Sequence, residues 1–143
     1  MRLPAKLPAG KVITRPISQI DIMPTLFEML GMSAPDFMEG SSLLPLIRDG
    51  SADFREENYA QTTPAGWQAL ADDAREIYCV RTKLWKLVMH TDARRSAMRY
   101  ELFDLANDPG ETRDVFEDRS DIVSELLPKL EDYSRGSSGR LGK

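Results

Sequence analysis

Residues 18–50 read SQIDIMPTLFEMLGMSAPDFMEGSSLLPLIRDG, a stretch that predicts two short helices of the same construction. In the first, Asp21 precedes Ile22 and Met23, and Pro24 follows; in the second, Ser42 precedes Leu43 and Leu44, and Pro45 follows. An Asp or Ser side chain at a helix start accepts a hydrogen bond from a backbone N–H that has no partner inside the helix. A proline in that first turn costs little, because the N–H it lacks would have been one of those orphans. The helices therefore start near Asp21 and Ser42. They end at Gly31 and Gly50, glycines suited to a left-handed cap. Met23, Leu26, Phe27 and Leu30 fall on one side of the first helix, and Ile22 and Met29 widen that stripe. So apolar a helix needs cover on more than one side. Ser33-Ala34-Pro35-Asp36 is a turn, after which Phe37 and Met38 are expected to fold back on the first helix. Met23, Met29, Met32 and Met38 read as pliable core filling.

Upstream, residues 2–16 hold three prolines and a glycine and show no periodic element. Pro16 biases Arg15 towards extended geometry. Downstream the pattern changes to strands. Glu57–Thr63 reads as a short strand ended by Pro64 and Gly66, and Trp67–Ala74 as a loop. Glu76–His90, EIYCVRTKLWKLVMH, reads as a hairpin turning near Thr82-Lys83. Trp85, Leu87 and Met89 share one face of it, and Lys86, Val88 and His90 the other, as in a sheet with one wet side. A polar connection over Ala93–Ala97 leads to a further strand, Arg99–Leu105. A sheet of three or four strands is marginal unless something packs on its apolar face. The helix begun by Ser120 supplies that cover through Ile122, Val123, Leu126, Leu127 and Leu130, with Tyr133 near its end and a kink expected at Pro128. Residues 135–143, RGSSGRLGK, are expected to be a disordered tail. The fold class is α+β: a small antiparallel sheet packed by a C-terminal helix and preceded by two short apolar helices.

Two blocks carry a family resemblance. The first is D-x-x-P-T-L-x-x-x-L-G followed by G-x-S-L-L-P-L-I-x-x-G, from Asp21 to Gly31 and from Gly40 to Gly50. The second is R-T-x-x-W-K-L, from Arg81 to Leu87, followed by E-L-F-D-L-x-x-D-P-G-E, from Glu101 to Glu111. Together they resemble the C-terminal subdomain of the sulfatase family, within the alkaline phosphatase superfamily. Phe103 stands where tyrosine is more usual, and Asp114 where asparagine is common. The resemblance implies that residues 1–16 are an extended lead-in from a missing catalytic domain and that 17–134 form the subdomain. It also implies a parent enzyme that hydrolyses sulfate esters at a formylglycine, with calcium or a similar divalent ion, through motifs upstream of this segment. No catalytic, cofactor-binding or metal residue is assigned here.

The residues that invite chemistry have simpler readings. Asp104, Asp108 and Glu111 lack EF-hand spacing, and Asp108-Pro109-Gly110 is a turn former in its own right. His90, the single histidine, reads as solvated surface at a strand end; it or Arg94 and Arg95 would touch substrate only if the parent's pocket extends over the sheet. Cys79 reads as an inert mid-strand thiol. The family's nucleophile motif is C-x-P-x-R, whereas Cys79-Val80-Arg81-Thr82-Lys83 has no proline and the wrong arginine spacing. Arg81, Lys83, Lys86, Arg94, Arg95 and Arg99 make this region basic, as a solvated strand face would be.

Composition excludes other classes. With 143 residues, 41% hydrophobic and 29% charged, the chain has the make-up of a globular domain. A net charge of -4 gives no electrostatic footprint for nucleic acid. No apolar run reaches the roughly 20 residues of a membrane span, and Met1-Arg2-Leu3-Pro4 leads into no signal-peptide core. One cysteine excludes an internal disulfide. The partner expected is the missing N-terminal catalytic domain, or a second copy through the apolar first helix. The reading is thus a C-terminal fragment of a sulfatase that completes the fold, edges the substrate pocket and is inactive alone. A stand-alone interaction module of the same fold is the alternative, and a phosphonate or phosphate monoester hydrolase parent is a third.

Overall fold

A computed structural model describes residues 7–50, 54–63, 75–92 and 97–138. The predicted loop at Trp67–Ala74, most of the connection at 93–97, and Arg94 and Arg95 lie outside the described residues. The chain divides into two compact units, residues 1–56 and 57–143.

In the N-terminal unit, residues 7–16 form no regular element, yet they are anchored. Lys11 Nζ donates to the Arg48 carbonyl at 3.2 Å, and Arg15 Nη1 donates to the Phe54 carbonyl at 3.3 Å. A short turn of 3-10 helix at Gln19–Asp21 runs into α1, Ile22–Met29; α2 follows at Leu44–Asp49. Gly31 (φ 74) and Gly50 (φ 69) take the left-handed conformation that the helix ends require. Leu43 is the N-cap residue of α2, and Ser42, just before it, accepts the Leu44 N–H on its hydroxyl at 3.2 Å.

Asp21 does something other than cap α1. Its carboxylate is fully buried, accepts the backbone N–H groups of Ser18 at 2.9 Å and Ser41 at 3.0 Å, and pairs with Arg55. One turn on, buried Thr25 donates its hydroxyl to the Asp21 carbonyl and accepts the Leu43 N–H at 2.9 Å. Residues 18, 21, 25, 41, 43 and 55 are thus tied through one polar node. Gly40 lets the loop pass against the 3-10 turn, because a Cβ there would lie 2.0 Å from the Ile20 carbonyl oxygen. Leu43, Leu46 and Phe54 form the small apolar core of this unit, with Ile13 and Ile47 packed on it.

The second unit is a four-stranded antiparallel sheet in the order β1 (Asn58–Thr62), β2 (Ile77–Arg81), β3 (Trp85–Thr91), β4 (Met98–Asp104), with α3 at Ser120–Ser138. The register pairs Val80 with Leu87 and Leu87 with Leu102, so alternate residues of adjacent strands line one face. That face carries Tyr78, Val80, Leu87, Met89 and Leu102 against Leu126 and Leu130 of α3. Tyr133 of α3 stacks on Tyr59 at 4.9 Å and meets the Tyr78 edge at 6.3 Å. The Tyr78 hydroxyl donates to Glu76 Oε2 at 2.8 Å, which satisfies the one polar atom this ring buries. α3 runs as one element through Pro128 and on to Ser138, past Arg135 where the sequence suggests a tail. Among the described residues, no helix is long and apolar enough to cross a membrane.

Candidate functional site

Two surfaces, one in each unit, carry the residues of interest. The first is the outward face of α1. Of this helix and its flanks, Asp21, Pro24, Thr25 and Met29 are buried. The apolar stripe is not: Met23 is 50% exposed, Leu26 36% and Leu30 74%, with Ile22 also exposed and Phe27 half-buried. The stripe is a face that needs outside cover, as its apolar width implies, whereas the expectation that Met23 and Met32 fill a core is corrected here. The polar node at Asp21 and Thr25 claims the inner side of the helix, because a buried carboxylate is tolerable only when paired and fully hydrogen-bonded. Phe37, expected to fold back on α1, is 81% exposed, and of the methionines Met23 and Met32 are exposed while Met29 is buried.

The second is the sheet face opposite α3. Ala60, Thr62, Ile77, Cys79 and Val88 line a shallow depression of about 200 Å³, with Lys86 at its edge. His90 is not simply solvated surface. Its Nε2 lies 2.6 Å from Glu101 Oε2, Arg99 Nη1 donates to Glu101 Oε1 at 3.0 Å, and Arg99 Nη2 lies 3.4 Å from the same ring nitrogen. The register explains the grouping, since His90 stands opposite Arg99 and diagonal to Glu101. Burial pushes the Cys79 thiol above its ordinary pKa, with Lys86 opposing, so the thiolate is scarcer than in a free cysteine. An activated nucleophile needs the reverse.

The carboxylates of the 104–114 segment are occupied by the loop itself. Asp104 accepts the backbone N–H groups of Ala106 and Asn107 and the Asn107 side-chain amide. Asp108 accepts the N–H groups of Thr112 at 2.7 Å and Arg113 at 2.8 Å. Both carboxyls lie below the usual aspartate range, Asp104 chiefly through the Asn107 side chain and Asp108 chiefly through the Arg113 N–H. Glu111 pairs with Lys86 across the sheet. Asp114 has a role that the sequence does not announce: its Oδ1 accepts the N–H of Leu102 and of Phe116, both at 2.9 Å. With Val115 N donating to the Leu102 carbonyl at 2.8 Å, this segment covers part of the outer edge of β4. An asparagine carbonyl oxygen accepts the same bonds, so aspartate is a near-isosteric exchange here. Among the described residues, no group of three His, Cys, Asp or Glu side chains is placed to hold a metal ion.

Comparison with solved structures identifies the architecture. The chain superposes on the protein BT4656, solved with its substrate D-glucosamine-2-N,6-O-disulfate, at a TM-score of 0.69 and 24% identity, over 94% of this chain and 27% of that one. It superposes on BT1596, a 2-O GAG sulfatase, at a TM-score of 0.65 and 24% identity, over 82% of this chain and 24% of that one. These likenesses establish the fold, that of the C-terminal part of a sulfatase. Residues 1–136 match the family described as N-sulphoglucosamine sulphohydrolase, C-terminal, and the chain belongs to that family. Human arylsulfatase K is 29% identical over 126 residues, covering 85% of this chain and 23% of the relative. The N-acetylglucosamine-6-O-sulfatase of Bacteroides thetaiotaomicron is 25% identical over 127 residues, covering 81% and 20%. The chain spans about a quarter of the length of the relatives it matches.

Proposed function

We propose that this chain acts as the C-terminal part of a sulfuric ester hydrolase: it completes the fold, edges the substrate pocket, and leaves the chemistry to the N-terminal catalytic part. The observation that carries this reading is the family match along 136 residues in a chain about a quarter as long as its relatives. Sulfate ester hydrolysis needs a nucleophile, stabilisation of charge on the transferring group, and a proton for the leaving oxygen. Cys79 is a poor nucleophile for the reason given, His90 is already engaged by Glu101 and Arg99, and the aspartates of the 104–114 segment hold their own loop. In the complete enzyme a divalent ion would stabilise the sulfate, and its ligands would come from the catalytic part. The relatives' names make a sulfated glucosamine the first substrate to assay.

Without a catalytic part, the outward face of α1 is expected to promote self-association or to bind a hydrophobic dye. The deciding experiment reads the DNA upstream of the Met1 codon. An in-frame C-x-P-x-R or S-x-P-x-R is the expected result; a promoter and stop codon there would favour a stand-alone interaction module. As a companion assay, an aryl sulfate with added calcium should not be turned over by this chain alone. Turnover that Cys79→Ala or His90→Ala abolishes would contradict the reading.

A further inference from the structure

We propose that residues 104–116 are a strap that keeps β4 from pairing with β4 of a second copy of this chain, and that the Glu111–Lys86 pair is its latch.

β4 is the last strand of the sheet, so its far side is an edge. Alternate residues of an antiparallel strand turn their N–H and C=O groups the same way. Leu102 and Asp104 turn theirs outward, where the strap takes them. Asp108 N–H donates to the Asp104 carbonyl at 2.7 Å, and Val115 N–H to the Leu102 carbonyl at 2.8 Å. Leu102 N–H donates to Asp114 Oδ1 at 2.9 Å. The Phe116 ring closes the strap by stacking on Tyr100 at 5.5 Å.

Glu111 stands out within this segment. Among the described residues it is the one non-glycine with a positive φ, 54°. A side chain is crowded in that conformation, where glycine would sit without steric cost. What the glutamate adds is a carboxylate, and this carboxylate pairs with Lys86. Lys86 stands opposite Phe103 in the register, so the pair spans β4 and ties the strap to β3. The two side chains are only 24% and 29% exposed, which limits screening by salt.

The occupant of a bared edge follows from the sequence of β4. An unpaired strand edge is a template for another strand, and a second copy offers an identical one. In a two-fold antiparallel pairing centred on Tyr100, Arg99 of each copy stands opposite Glu101 of the other, and Met98 opposite Leu102. Opposite charges and apolar side chains facing across a strand pair are stabilising, and the two-fold axis supplies each contact twice. In that register the Leu102 N–H and C=O would exchange bonds with Met98 of the second copy. These are the groups that Asp114 and Val115 occupy.

The test compares this chain with strap variants by sedimentation velocity over a concentration series, with circular dichroism to confirm folding. Glu111→Gly removes the latch and leaves the backbone free to keep its φ. Glu111→Gly with Asp114→Ala also releases the Leu102 N–H. Association through the face of α1 is common to all variants and drops out of the ratio. The single variant should dimerise about threefold more tightly than the parent chain, and the double variant about tenfold. Adding Arg99→Glu to the double variant should abolish that gain, because like charges would then face each other across the strand pair. Adding Arg99→Glu together with Glu101→Arg should restore it. Association of both folded strap variants equal to that of the parent would overturn the inference. So would a tighter dimer that Arg99→Glu leaves intact, since the second copy would then sit elsewhere. If the double variant unfolds, Glu111→Gly and the same charge exchanges made on it decide by these two criteria.

Discussion

The two units of this chain solve the problem of burial in opposite ways. The sheet unit buries apolar side chains, with Tyr78, Val80, Leu87, Leu102 and Leu130 all at 0% exposure. The N-terminal unit is centred on a carboxylate, Asp21 at 0% exposure, and turns its most apolar helix face outward. An apolar core gains from each methylene it removes from water, and a small sheet covered by one helix can stand on that. A buried ion pair gains little net stability, because desolvation offsets most of the Coulomb attraction. It specifies an orientation. The difference teaches that the N-terminal unit is arranged to present a surface, and the sheet unit to hold a fold.

The sharpest way to break this comparison is Asp21→Ala. It takes the carboxylate away from the Arg55 guanidinium and from two backbone N–H groups, and removal of one partner from a buried pair costs about 3–5 kcal/mol. Loss of α1 helicity, read by circular dichroism against denaturant, is the expected result; an unchanged midpoint would show that the node does not organise the unit. In the sheet unit, Leu130→Ala should cost about 3 kcal/mol by transfer and cavity terms together, seen as a lower denaturant midpoint at unchanged slope. Gly40→Ala comes next, at about 2 kcal/mol as for overpacking. Its Cβ would meet the Ile20 carbonyl, a backbone group that cannot swing aside. Tolerance of alanine there would show that the loop does not approach the 3-10 turn as closely as described.

The smallest effect is a pH dependence of the 104–114 segment. Asp104 and Asp108 have folded pKa values lowered below the ordinary aspartate value of 3.8. Their contribution is therefore fully present above that value and lost as pH falls through the lowered ones. Both residues are only partly buried, so screening by water keeps the effect modest. Carboxyl chemical shifts followed by NMR should titrate below the ordinary range for both, and Asp108→Asn should remove the Asp108 titration while Asp104 keeps its own. Ordinary titration of both would separate the loop's shape from its carboxylates.

How much of this was legible follows from which interactions are local. Strand alternation at Trp85, Leu87 and Met89 and the helical spacing of Ile122, Leu126 and Leu130 are short-range patterns, and the sheet and its cover follow from them. The same kind of pattern located the apolar stripe of α1 but not the side it faces. Periodicity shows that a stripe exists; only the partner decides where it points. Arg55 meets Asp21 across 34 residues, and no local spacing predicts such a pair. The Glu101 partner of His90 was within reach, because both strands were predicted and the register sets His90 diagonal to Glu101. What was missing was the register itself, which depends on a connection lying partly outside the described residues. Gly40 was visible as a motif glycine, but its reason, the Ile20 carbonyl, appears only in three dimensions.

The claim that the N-terminal unit awaits a partner while the sheet unit stands on its own core is tested most directly by hydrogen exchange of this chain by itself, followed by mass spectrometry. Amides of β2, β3 and α3 are predicted to exchange only by global opening, and those of Phe27 to Met29 in α1 at least a hundredfold faster, through local opening of a helix covered on one side. Exchange from α1 as slow as from β3 would contradict the account, since it would mean that the helix already has all the cover it needs.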